Sequence, residues 1–122
     1  VSVREWTYYD WKLPIEERDV KTGVTIEWEF QGGGYSWEGW ALVSKMSGDQ
    51  KLYAPYIDSG CSCYSMYESK PEGLAWTSSL KEAASTLSRD IRDNDSPGDD
   101  DWAPDEKAST LASLSQAVMK LR

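Results

Sequence analysis

The apolar residues change their period part-way along the chain, and this change limits the fold more than any other feature. Val24, Ile26, Trp28 and Phe30 alternate with Thr25, Glu27 and Glu29. A period of two belongs to a strand that turns one face to a core and the other to water. Further on, Leu80, Ala83, Ala84, Leu87 and Ile91 follow helical spacing, with Ser79 and Glu82 set as a capping box at the start. A second helix is predicted from Pro104 to about Leu121, with the stripe Leu111, Leu114, Val118 and Leu121. Proline suits its first position, Asp105 and Glu106 its first turn, and Lys120 and Arg122 its end. Strands followed by helices describe an α+β fold, here a small, mainly antiparallel sheet of three or four strands packed against two C-terminal helices.

The remaining strands are read from turns and apolar runs. One strand is placed near residues 3–9, within an aromatic stretch carrying Trp6, Tyr8, Tyr9 and Trp11. Gln31-Gly32-Gly33-Gly34 ends the alternating strand as a flexible connection; it lacks the Lys-Ser or Lys-Thr of a phosphate cradle. Residues 36–45 are apolar in both phases: Trp37, Ala41 and Val43 on one face, Trp40 and Leu42 on the other. Such a strand is central or presents its second face to a partner. The helices are assigned to the apolar face of Val24–Phe30, and the aromatic N-terminus to the Trp40 and Leu42 face. Ser47-Gly48-Asp49 turns the chain into a strand over 51–57, where Pro55 predicts an edge position. The whole is one domain, divided into an aromatic segment (1–22), the sheet (23–57), a Cys-x-Cys loop (58–78) and two helices with their linker (79–122).

Composition removes several functions. The chain has no histidine, which excludes Ser-His-Asp and Cys-His nucleophile systems and every metal site that needs imidazole. Acids outnumber bases 21 to 13, a formal charge of −8, so neither a phosphate backbone nor an anionic membrane surface is expected as a partner. No apolar run is long enough to span a bilayer. Val1-Ser2-Val3-Arg4-Glu5-Trp6 lacks a basic segment followed by an apolar run, so no secretory signal is expected there. Glu27 and Glu29 are expected to share a wet strand face, unsuited to acid–base catalysis. The reading is therefore non-enzymatic, without cofactor or metal.

Much of the negative charge is concentrated in residues 90–106, which hold eight acids against one base. Asp93, Asp95, Asp99, Asp100 and Asp101 form its centre. A calcium loop is disfavoured because Pro97 and Pro104 occupy its fifth and twelfth ligand positions. A solvated linker between the helices is the preferred reading, with a surface for a basic partner as the alternative.

After the Pro55 strand comes Asp58-Ser59-Gly60-Cys61-Ser62-Cys63-Tyr64. Asp58 or Ser59 can bond nearby backbone and Gly60 can take a positive φ, so a tight turn is expected. Cys61 and Cys63 allow metal binding, a redox pair or a cysteine nucleophile. The preferred reading is structural, with both thiols reduced, metal-free and at least half-buried.

Gly39-Trp40-Ala41-Leu42-Val43, the hairpin through Gly48-Asp49, Leu52-Tyr53-Ala54 and the Asp58–Cys63 run resemble an uncharacterised domain family common among small actinobacteriophage proteins. Its hallmark is a strand ending in Asp-Ser-Gly-Cys-Ser-Cys, then a proline-containing segment and an aromatic-acidic pair. Tyr67-Glu68 match the pair, while Tyr64 stands where proline is frequent. The resemblance covers roughly residues 35–90 and implies a viral origin and a bacterial host cytoplasm, with no activity attached.

Seven Trp and seven Tyr exceed what a small core needs, and such residues dominate binding hot spots. Trp37, Trp40, Tyr53 and Tyr56 are the candidate contact surface. The leading expectation is a phage accessory protein that binds a host or phage protein. One alternative is a nucleotide or sugar binder that stacks its ligand on the same four rings, with Arg4, Lys45 or Lys51 for a phosphate. Another is an acidic decoy of a nucleic-acid-binding protein.

Overall fold

A computed structural model describes residues 3–122; Val1 and Ser2, within the stretch where no secretory signal is expected, lie outside the described residues. Four strands, β1 (Arg4–Tyr9), β2 (Asp19–Gly33), β3 (Ser36–Ser47) and β4 (Gln50–Cys61), precede α1 (Leu80–Asp93) and α2 (Glu106–Leu121). The sheet order is β1-β2-β3-β4 and every pairing is antiparallel, so the fold is α+β. β4 lies at an edge, as Pro55 predicts. β2 begins at Asp19 and β4 continues to Cys61, so the sheet overruns both boundaries read from the sequence.

The alternating run in β2 does not keep to one face. Ile26 pairs with Val43 and Trp28 with Leu42, neighbours in β3, so Glu27 is an extra residue in a bulge. A one-residue slip exchanges the faces of everything beyond it. Val24 and Ile26 therefore join Ala41, Val43, Ala54, Trp6 and Tyr67 in one core. Trp28 joins Trp40, Leu42 and Tyr53 in another, under Ala83, Leu87 and Ile91 of α1 and Leu114 and Val118 of α2.

The expected assignment of the two faces holds for Trp28 and Phe30, which lie under the helices, and fails for Val24 and Ile26 and for Trp40 and Leu42. The helices cover Trp40 and Leu42, and the polar ends of two indoles explain why. Trp40 Nε1–H donates to Asp90 Oδ2 on α1 at 2.7 Å. Trp28 Nε1–H donates to Ser113 Oγ on α2 at 2.9 Å. Trp6 and the loop carrying Met66, Tyr67, Leu74 and Trp76 cover the opposite face, tied down where Trp6 Nε1–H meets the Ser69 carbonyl at 3.0 Å.

Ser79 caps α1, its Oγ accepting the Glu82 N–H at 3.1 Å. The return half of the capping box runs through Thr77, whose Oγ1 accepts the Ser79 N–H at 3.0 Å and donates to Glu82 Oε2 at 3.2 Å. α2 begins after Asp105, which sits in the left-handed region at φ 66°. No helix among the described residues is long and apolar enough to cross a membrane.

Candidate functional site

The four aromatics read as a contact surface belong mainly to the interior. Trp37, Trp40 and Tyr53 are buried, Trp40 with 0% exposure, and Tyr56 is partly buried. Strand register also separates them. Trp37 and Tyr56 lie on the face of Ala41, whereas Trp40 and Tyr53 lie on the helix side. They form no common platform, so the sequence expectation of a shared stacking surface is corrected. The cause is the two-sided burial of β3: both phases of its apolar pattern are spent on cores.

Trp37 and Tyr56 instead organise the Cys-x-Cys loop. Trp37 Nε1–H donates to the carbonyls of Cys61 at 3.0 Å and Tyr64 at 2.9 Å. The Tyr64 ring stacks on Trp37 with centroids 5.9 Å apart and planes 7° from parallel. Asp58 is the polar hub: Oδ2 accepts Tyr56 OH at 2.7 Å and Tyr64 OH at 3.0 Å, and Oδ1 accepts the Ser59 N–H at 2.9 Å. Burial, followed by the bond to Asp58, raises the Tyr56 phenol well above its usual pKa.

Gly60 is not among the positive-φ residues, contrary to expectation. It is needed for space, because a Cβ there would stand 2.6 Å from Tyr64 Cδ2 and 2.8 Å from Trp37 Cζ2. The cysteines also depart from the expected state. Cys61 and Cys63 are joined in a disulfide, Cys61 is partly buried and Cys63 is exposed. One residue of separation in a turn closed by the Tyr64 N–H to Cys61 carbonyl bond, 3.1 Å, brings the sulfurs together.

The two strand glutamates are separated by the bulge and are not left in water. Glu27 accepts Ser44 OH at 2.6 Å and pairs with Lys51 at 3.1 Å. Glu29 pairs with Arg4 and accepts Tyr67 OH at 3.0 Å on the other face. Burial and the Glu29 charge push the Tyr67 phenol strongly upward. Among the described residues, no three Cys, Asp or Glu side chains gather as a metal-ligand set.

The acidic linker is docked, not merely solvated. Pro97 is buried, and the Gly98 N–H and Asn94 amide both donate to Glu38, at 3.2 and 2.7 Å. Asp99 Oδ1 accepts the Gly34 N–H at 2.8 Å, and backbone donors of the Gly34–Ser36 turn lower its pKa. The Asp93, Asp95, Asp99, Asp100 and Asp101 side chains nonetheless face outward.

The most exposed apolar cluster lies in the β1–β2 loop, which the sequence reading treated as cover for the sheet. Trp11 is 70% and Ile15 75% exposed, and Tyr9 and Leu13 are exposed beside them. The backbone beneath is well fastened. Asp10 N–H reaches the Arg18 carbonyl at 2.8 Å, Glu17 N–H the Pro14 carbonyl at 2.8 Å, and Arg18 Nε–H the Leu13 carbonyl at 2.8 Å. The available signal was alternation of Tyr9, Trp11, Leu13 and Ile15 with polar residues in a segment rich in turn formers.

A groove of about 210 Å³ runs between α1 and α2, with Lys81, Arg92 and Arg122 around Ala84, Leu114 and Val118. It falls below the ~300–1,000 Å³ usual for small-molecule sites. No aromatic ring lines it. Compared with protein-family models, curated proteins and solved structures, the chain matches none.

Proposed function

We propose that this chain is a non-enzymatic protein-binding factor that docks through its β1–β2 loop. The observation that carries the reading is the display of Trp11 and Ile15 on a loop fastened by its own hydrogen bonds. A hydrogen-bonded loop offers large apolar side chains without a heavy ordering cost on association. Covering Trp11 and Ile15 would remove on the order of 200 Å² of apolar surface, about 5 kcal/mol before association costs. Four carboxylates, Asp10, Glu16, Glu17 and Asp19, accompany two cations, Lys12 and Arg18, in the same segment. The matching partner offers an apolar pocket with a basic rim.

The resemblance around Cys61 and Cys63 extends the proposal to an accessory protein of a bacteriophage, acting on a host or phage protein in the bacterial cytoplasm. The nucleotide- or sugar-binding alternative loses its support because its four stacking rings lie on opposite sheet faces. The test is affinity capture from bacterial lysate by wild type and by a Trp11→Ala/Ile15→Ala variant of equal melting temperature. A stoichiometric partner kept by wild type and lost by the variant is expected. Identical captured proteins, or none with either bait, would remove the proposal.

A further inference from the structure

We infer that Cys61 and Cys63 form a reversible thiol–disulfide exchange site whose co-reactants are low-molecular-weight thiols. This goes beyond the binding reading and does not rest on it. A structural staple is the competing role, and loop size argues against it. The stabilisation a crosslink gives grows with the length of chain it closes, and only one residue separates these cysteines.

The surrounding bonds make reversible exchange feasible. The loop is held by groups other than sulfur: Trp37 Nε1–H on two carbonyls, Tyr64 N–H on the Cys61 carbonyl, and Tyr64 OH on Asp58. These contacts hold the two Cα atoms near their separation of 5.4 Å in either oxidation state. The second thiol therefore stays beside the first after reduction, and reclosure is intramolecular. Access is unequal as well. Cys63 is exposed while Cys61, the last residue of β4, is partly buried. Exposed disulfides are the labile class.

The exchange balances as follows. An external thiolate attacks Cys63 Sγ, forming a mixed disulfide; the protein S–S bond breaks, and its electron pair leaves on Cys61 Sγ, which takes a proton. A second external thiolate attacks the external sulfur of the mixed disulfide. A small-molecule disulfide departs, and Cys63 leaves as a thiolate and is protonated. Two thiols are oxidised while the protein pair gains two electrons and two protons. The reverse sequence regenerates the protein disulfide.

The test equilibrates the full chain in reduced and oxidised glutathione buffers of graded ratio, followed by acid quenching, alkylation and mass spectrometry. A single two-electron transition inside the buffer range, with circular dichroism unchanged across it, is expected. Cys61→Ser should collect glutathione on Cys63 several-fold faster than Cys63→Ser collects it on Cys61. A pair that stays oxidised in every buffer, stays reduced in every buffer, or opens only as the fold is lost would overturn the inference. Equal or reversed trapping rates would overturn the assignment of Cys63 as the attacked sulfur.

Discussion

Removing the acceptor beneath Trp40 isolates how α1 is held to the sheet. The Trp40 side chain has no exposure, and its indole N–H meets Asp90 Oδ2 at 2.7 Å. In Asp90→Ala the donor stays buried and loses its partner. A hydrogen bond to a charged group contributes roughly 1.5–3 kcal/mol, so a loss of about 2 kcal/mol is expected. Local helix effects oppose this loss: alanine is the better helix former, and an acid near a helix C-terminus is unfavourable, together by about 0.5–1 kcal/mol. The same substitution made in a Trp40→Phe background should therefore be neutral or slightly stabilising, because the donor is gone.

The double-mutant cycle then yields a coupling of about 2 kcal/mol. Urea unfolding followed by tryptophan fluorescence measures it. With the helix effects subtracted the net loss is about 1–1.5 kcal/mol, and at a slope of about 2 kcal/mol per molar urea the Asp90→Ala midpoint falls by roughly 0.5–0.75 M. A coupling under about 0.5 kcal/mol, or an Asp90→Ala protein as stable as wild type, would refute the argument that this bond anchors the helix.

Gly60→Ala should cost about 1–3 kcal/mol, because the new methyl group must displace the Trp37 and Tyr64 rings; equilibrium unfolding checks this. Ser79→Ala should cost about 1 kcal/mol through loss of the α1 cap, with the first turn of α1 exchanging amide hydrogens faster. Trp11→Ala should change stability by no more than about 0.5 kcal/mol despite the size of the side chain, and a larger loss in thermal melting would mean the loop is packed. The Tyr56 and Tyr67 phenols are raised in the folded chain, so their contribution is complete below the unfolded tyrosine pKa of about 10 and declines as pH rises above it. Unfolding against pH should show stability falling as pH rises above about 10, in step with late phenolate absorbance.

Local patterns were legible where one interaction range decides the structure. Helical spacing and Ser79 locate α1, and Pro55 places β4 at an edge, because helix spacing, capping and a missing N–H are local properties. The faces of β2 were not legible, because alternation over Val24–Phe30 looks unbroken. The Glu27 bulge depends on pairing with β3 and on the ties from Ser44 and Lys51. The exposure of the aromatics was not legible for a related reason. Aromatic identity says that Trp40 and Trp11 are equally suited to a core or an interface. Only the tertiary register decides that one has no exposure and the other 70%. In the cysteine loop, the surroundings of Asp58 and Gly60 were not legible, because they are set by Trp37, Tyr56 and Tyr64, which reach them across or along the sheet.

The edges of the sheet bear on how a partner can approach. An open edge invites strand addition, and this sheet restricts it at both sides. On β4, the Tyr53 N–H and carbonyl are both taken by Thr77 at 2.8 Å. Pro55, two residues along the same edge, has no N–H. The Ser59 N–H is accepted by Asp58 Oδ1, and the Cys61 carbonyl is occupied by Trp37 and Tyr64. Ile57 is left as an isolated exposed residue between them. On the other side, β1 is six residues long and irregular between Glu5 and Thr7. Main-chain recognition needs a run of alternate unpaired groups, which β4 lacks and the short β1 limits. Side-chain docking has no such requirement, and the largest adjacent apolar side chains, Trp11 and Ile15, stand clear of both edges on the β1–β2 loop.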